Sequence, residues 1–135
     1  IRDSSVTGVQ TCALPIFEIP MTLRECCEDV KDAFHLGAVK VFGNLEDKVK
    51  RIAICSGSGK SVIQAALDKH ADVLITGDIG HHEGIDAVAQ GLAIIDGGHY
   101  GIEHIFIEDM RQYLEKNLKD VEVIAAPIIH PFLLV

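Results

Sequence analysis

The sequence predicts an α/β domain: a largely parallel or mixed sheet built from βαβ units, with helices packed on it. Two observations carry this. First, β-branched apolar runs alternate with helical segments of about ten residues or more, in the order strand 51–55, helix 60–69, strand 72–76, helix 81–90, strand 92–96, helix 100–117, with a last strand over 121–125. Second, the first three strands run into Ser56-Gly57-Ser58-Gly59, Gly77-Asp78 and Gly97-Gly98, the glycine punctuation that a reversal into a helix requires. Parallel strands need crossover connections, which are right-handed, so this cadence implies a buried and mostly parallel sheet. Ahead of it, Thr22-Leu23-Arg24-Glu25 fits a capping box, in which hydroxyl and carboxylate each satisfy an orphaned backbone N–H. A helix over 22–34 follows and stops near Gly37. Val39 and Val41, and then Arg51 to Cys55, read as two strands separated by the turn-like Gly43-Asn44.

Composition bounds the function. The chain has 135 residues, 48% hydrophobic, enough for one small globular domain. Its net charge of −8 repels a phosphate backbone or an anionic membrane surface, so neither nucleic acid nor a membrane is an expected partner. No apolar run approaches the ~20 residues of a bilayer-spanning helix, and the N-terminus lacks the basic-then-apolar order of a signal peptide; the expected compartment is the cytoplasm. Four cysteines, two adjacent at Cys26 and Cys27, make no CxxC pair and read as reduced thiols.

Residues 1–20 show no clear period of 3.6 or 2. Within them Val6 to Ile16, VTGVQTCALPI, resembles the translated read-through of a common sequencing-library adapter, with a flexible natural terminus as the alternative. The expected division is therefore an adapter-derived segment over 1–16 and a natural segment over 17–135, with the natural protein extending further upstream.

In open α/β sheets ligands gather outside the carboxyl ends of the strands. Ser56, Ser58, Lys60, Asp78, His81, His82, Asp96 and His99 all fall on that rim. Gly57 to Ser61 invites a phosphate-loop reading, but GxxxxGK[ST] needs a glycine where the chain has Ile54, so a plain strand-to-helix turn with close-packing glycines is favoured. His99 and Glu103 stand at i and i+4, stacked on one helix face and able to grip one divalent ion, but on spacing alone a partly buried histidine hydrogen-bonded to its neighbouring glutamate is the favoured reading. His104 points to another face. Asp78, His81 and His82 offer a general acid or base near neutrality, against a solvated helix start capped by Asp78.

Taken together, Ala71 to Asp78 (ADVLITGD), His81-His82-Glu83, Gly91 to Asp96 and Gly98-His99-Tyr100 with Glu103 resemble the NIF-three-like dinuclear metal centre proteins, also named GTP cyclohydrolase I type 2 homologues. The resemblance runs from about Thr22 to the C-terminus, including Pro131-Phe132, and matches the C-terminal half of that family's pattern. It implies His99 as a metal ligand and Glu103 as a carboxylate suited to bridging two ions. The family's other ligands, a double histidine and an aspartate, lie upstream in a half that is absent; His81 and His82 match cleft-facing residues, not that pair. The implied cofactor is two divalent ions, zinc, manganese or iron, held in the intact protein and weakly or not at all by this fragment. Also implied are a ring-shaped homo-oligomer and a small-molecule substrate of nucleotide type, opened by metal-activated water. The competing class is a non-catalytic metal-binding or regulatory scaffold.

Overall fold

The computed structural model describes residues 12, 13 and 16–130. Among these residues six strands and five α-helices run in the order β1 (Cys12–Ala13), β2 (Ile16–Thr22), α1 (Leu23–Phe34), β3 (Lys40–Phe42), β4 (Lys48–Ser58), α2 (Ile63–Asp68), β5 (Val73–Gly77), α3 (His81–Ala89), β6 (Ala93–Asp96), α4 (His99–Glu103) and α5 (Phe106–Asn117). The sheet order is β1-β4-β5-β6-β3, with β2 also paired to β4. β4, β5 and β6 are parallel, in the register Ile54↔Ile75↔Ile95, whereas β1, β2 and β3 are antiparallel to their neighbours. The sheet is thus mixed, its parallel core closed on both flanks by antiparallel strands.

Side chains alternate across the sheet with period two, and each face carries its own core. On one face Val73, Ile75, Ile95, Val49 and Ile52 meet Leu23, Cys26, Cys27 and Val30 of α1. On the other, Leu74, Ile94, Ala53 and Cys55 meet Ala66 of α2, Ala87 of α3 and Leu92. Every residue of β5 is buried, the signature of a central parallel strand covered on both faces. α1 opens with the expected capping box, Thr22 Oγ1 accepting from the Glu25 N–H at 3.1 Å and Glu25 Oε2 accepting from the Thr22 N–H at 2.7 Å. The cysteines Cys26, Cys27 and Cys55 are buried, and burial pushes the Cys26 thiol up to about 12.

Four expectations need correction. Residues 121–125 form no strand: Val121 and Ile124 are 56% and 80% exposed, and β propensity without a ladder partner does not make a strand. The single helix expected over 100–117 is two, α4 and α5, because the chain tightens at His104 and Ile105, where the Ile107 N–H donates to His104 three residues back. The helix expected over 60–69 begins as a 3₁₀ turn, Gly59–Val62, before α2. Residues 16–20, the end of the stretch without a clear period, fall in β2; its register on β4 shifts between Ile16 and Met21, and an irregular ladder blurs alternation. Of the segment ascribed to an adapter, Cys12–Ala13 and Ile16 pair with β4, while residues 1–11, 14 and 15 lie outside the described residues, as does Pro131-Phe132.

Candidate metal-binding rim

The rim is assembled at the carboxyl ends of β4, β5 and β6, and Asp96, the last residue of β6, organises it. Its carboxylate is buried, its side chain 4% exposed. Oδ1 accepts from the main-chain N–H groups of Asp78 at 3.1 Å and Gly98 at 2.9 Å, and Oδ2 from that of Ile79 at 3.0 Å. Lys40, at the start of β3, balances the charge: its Nζ lies 2.8 Å from Asp96 Oδ2 and donates to the Ile79 carbonyl at 2.7 Å. A buried charge persists only when paired and hydrogen-bonded, and Asp96 meets both conditions. One side chain therefore ties the loop after β5 to the loop after β6.

Close backbone approach completes the rim. Gly77 leaves no room for a side chain, since a Cβ there would stand 2.6 Å from the Gly98 carbonyl carbon and the His99 nitrogen. Gly57, at φ +71°, brings the β4 end against the site: a Cβ built on it would lie 3.0 Å from Glu103 Oε1 and 3.4 Å from His99 Cε1. Gly59 packs against Thr76, whose hydroxyl donates to the Gly57 carbonyl at 3.3 Å. This is the close-packing role expected for these glycines, and Lys60 is ion-paired with Glu83 at the start of α3.

His99 opens α4, and its ring is held from both edges. Nε2 stands 3.2 Å from Glu103 Oε2 one turn along the helix, and Nδ1 stands 3.1 Å from Asp78 Oδ2 on the β5 loop. The three side chains are about half exposed, at 52%, 41% and 55% for His99, Glu103 and Asp78. The structure thus brings together Asp78, His99 and Glu103. Asp78 does not cap α3; Gly80 occupies the cap position, and Asp78 sits at φ +55° with its side chain turned toward His99. His81 and His82 are exposed residues that open α3, their rings edge to face with centroids 5.3 Å apart. Sequence reasoning placed Asp96 on the rim without a role and passed over Lys40 altogether; no local spacing signals a contact that depends on β6 lying between β5 and β3.

His104 is buried, stacked on Tyr100 at 5.8 Å and facing its carbonyl through Nδ1 at 3.2 Å. Beside it, a depression of about 550 Å³ is lined by Ser56, Tyr100, Glu103, His104 and Phe106 among others. Among the described residues no group of three or more His, Cys, Asp or Glu is placed to hold a metal ion. No helix among them is long and apolar enough to cross a membrane.

Residues 7–131 match the family described as Duf34/NIF3 (NGG1p interacting factor 3), a match that begins inside the segment ascribed to an adapter. The chain is 39% identical over 112 residues to a GTP cyclohydrolase 1 type 2 homolog of Halalkalibacterium halodurans, covering 80% of this chain and 30% of that protein. It is 41% identical over 105 residues to the homolog of the same name from Streptococcus pneumoniae, covering 75% of this chain and 39% of that protein. Among solved structures, a Staphylococcus aureus protein superposes with a TM-score of 0.80 at 32% identity, over 92% of this chain and 37% of its own. A Bacillus cereus protein related to NIF3 gives 0.77 at 30% identity, over 90% and 35%. The chain spans only about a third of the length of these relatives. With that share of their length and nearly all of its own, the chain belongs to the DUF34/NIF3 family.

Proposed function

We propose that this chain supplies half of a dinuclear metal centre, and that the intact protein is a metal-dependent hydrolase acting on a small nucleotide-like substrate. The observation that carries the reading is the convergence of His99 Nε2 and Glu103 Oε2 at 3.2 Å. Two ligands of one ion, each bonded at about 2.0–2.1 Å, stand about 2.9–3.3 Å apart between right-angled and tetrahedral arrangements, so the pair has the spacing of adjacent donors. An imidazole with a carboxylate suits zinc, manganese or iron. Two donors do not complete a site, and the remaining ligands belong to polypeptide outside the described residues.

When bound, such a pair of ions acidifies water and offsets negative charge that develops on an attacked oxygen. This chain's residues do the rest of the work on their side of the cleft. Asp78 and Glu103 present exposed carboxylates on either side of one imidazole, an arrangement that attracts cations. The depression beside Glu103 falls in the size range of small-molecule sites, and Tyr100 and Phe106 give it flat apolar walls for a heterocycle. His81 and His82, exposed at the opening of α3, remain the candidates for proton transfer to a leaving group.

The test uses the uninterrupted protein with its upstream half. Mass spectrometry should find retained transition metal that His99→Ala removes, and GTP turnover should fall at least ~10²-fold in Glu103→Ala. A protein that retains no metal, and is indifferent to His99→Ala, overturns the reading. Metal retained without turnover leaves the non-catalytic scaffold as the function.

A further inference from the structure

We infer that Asp78 is a positioning residue: it clamps His99 through Nδ1 and thereby reserves Nε2, the nitrogen on the Glu103 side, as the metal-facing edge of the ring. The inference deepens the proposed function and rests on it for the word metal, but its geometric content stands on the rim alone. Asp78 Oδ2 lies 3.1 Å from Nδ1, and Glu103 Oε2 lies 3.2 Å from Nε2, on the opposite edge of the imidazole. A neutral imidazole carries one proton, so whichever nitrogen donates leaves the other with the free electron pair. A carboxylate at Nδ1 draws the proton there and leaves Nε2 basic; carboxylates and carbonyls serve metal-bound histidines in this way, fixing ring orientation and tautomer together.

A second observation separates this contact from a chance meeting of surface side chains. Asp78 adopts φ +55°, a left-handed conformation that a side chain disfavours, and it is held there by its own N–H donating to the buried Asp96 carboxylate at 3.1 Å. The Ile79 N–H and carbonyl are fixed in turn by Asp96 and Lys40. These bonds fix the main chain from which the Asp78 carboxylate reaches His99. Glu103, by contrast, reaches Nε2 from the same helix through a longer, more adaptable side chain.

Because the two carboxylates draw the proton to opposite edges, single substitutions separate them. Imidazole nitrogen NMR on this 135-residue chain, at a pH where the ring is neutral, reads the tautomer directly. In Glu103→Ala, His99 should carry its proton on Nδ1, slowed in exchange by the bond to Asp78. In Asp78→Gly, which relieves the left-handed strain and therefore leaves the fold intact, the proton should move to Nε2. The same tautomer in both variants overturns the inference. A second arm uses the intact protein: zinc affinity should weaken ~10–100-fold in Asp78→Gly, and an unchanged affinity overturns it too. If the intact protein binds no zinc, the metal reading fails while the tautomer arm still decides the role of Asp78.

Discussion

The rim and the arm that follows it are held by opposite means. At the rim, Asp96 is buried, its partners are main-chain groups of three residues and the Lys40 ammonium, and glycines at 57, 59 and 77 leave no slack between adjoining loops. In α5 no residue is buried, and Phe106 and Tyr113 are 60% and 62% exposed. Beyond α5, residues 122–130 have no regular structure and expose Ile124, Ile128 and Ile129; one fixed point is the Ile129 N–H donating to the Tyr100 hydroxyl at 3.2 Å. The difference teaches that the side of the site carried by the strand ends is determined by contacts within the described residues, whereas the arm draws little from them.

The largest effect that would break this comparison is at Asp96. Asp96→Ala strips three main-chain donors of their acceptor and Lys40 of its counter-ion, and should cost about 3 kcal/mol in chemical denaturation; Lys40 can turn to water, which keeps the loss below that of a fully buried pair. A cost under about 1 kcal/mol would mean that the rim is not held as described. Gly77→Ala comes next: its Cβ would meet main-chain atoms of Gly98 and His99, which cannot rotate away, and the strain should cost about 1–3 kcal/mol with displaced amide shifts at residues 98 and 99. On the arm the same chemistry should count for little. Phe106→Ser should change stability by no more than about 0.5 kcal/mol in the isolated chain, and a larger loss would show that the arm packs against something the described contacts omit.

The smallest effect sharpens the contrast through pH. Arg111 and Gln112 hold the exposed Glu108 carboxyl down at about 2, below its ordinary 4.5. A carboxyl lowered in the folded state contributes above its unfolded value and loses that contribution as pH falls through the folded one, so the window is pH 4.5 down to 2. Solvent screens the pair, and the effect should be confined to helicity of α5. Circular dichroism should show a small loss over that window that Glu108→Gln abolishes, with the rim amides unmoved.

What the sequence made legible follows the range of the interaction. The capping box at Thr22 and Glu25 and the pair at His99 and Glu103 are three- and four-residue relations, and both appear where spacing put them. β5 and β6 were found within a residue or so because buried parallel strands are continuous apolar runs. β3 was read as a strand, but that it pairs with β6 and not with β4 is a fact about the whole sheet. The Asp78–His99 contact bridges 21 residues and exists because Thr76 and Asp96 share a register. The strand expected at 121–125 failed for the same reason: propensity describes a residue, and pairing requires a neighbour.

Asp96 grips its loops by main-chain atoms alone, and this divides labour between architecture and reactivity. The path of the chain through 78, 79 and 98 is written by Asp96 and Lys40, without reference to which side chain position 78 carries. Position 78 asks only for a residue that accepts a left-handed backbone. Aspartate, asparagine and glycine can thus be exchanged there at constant scaffold, which makes this loop a socket in which the electronic character of one imidazole can be set independently of the frame that holds it.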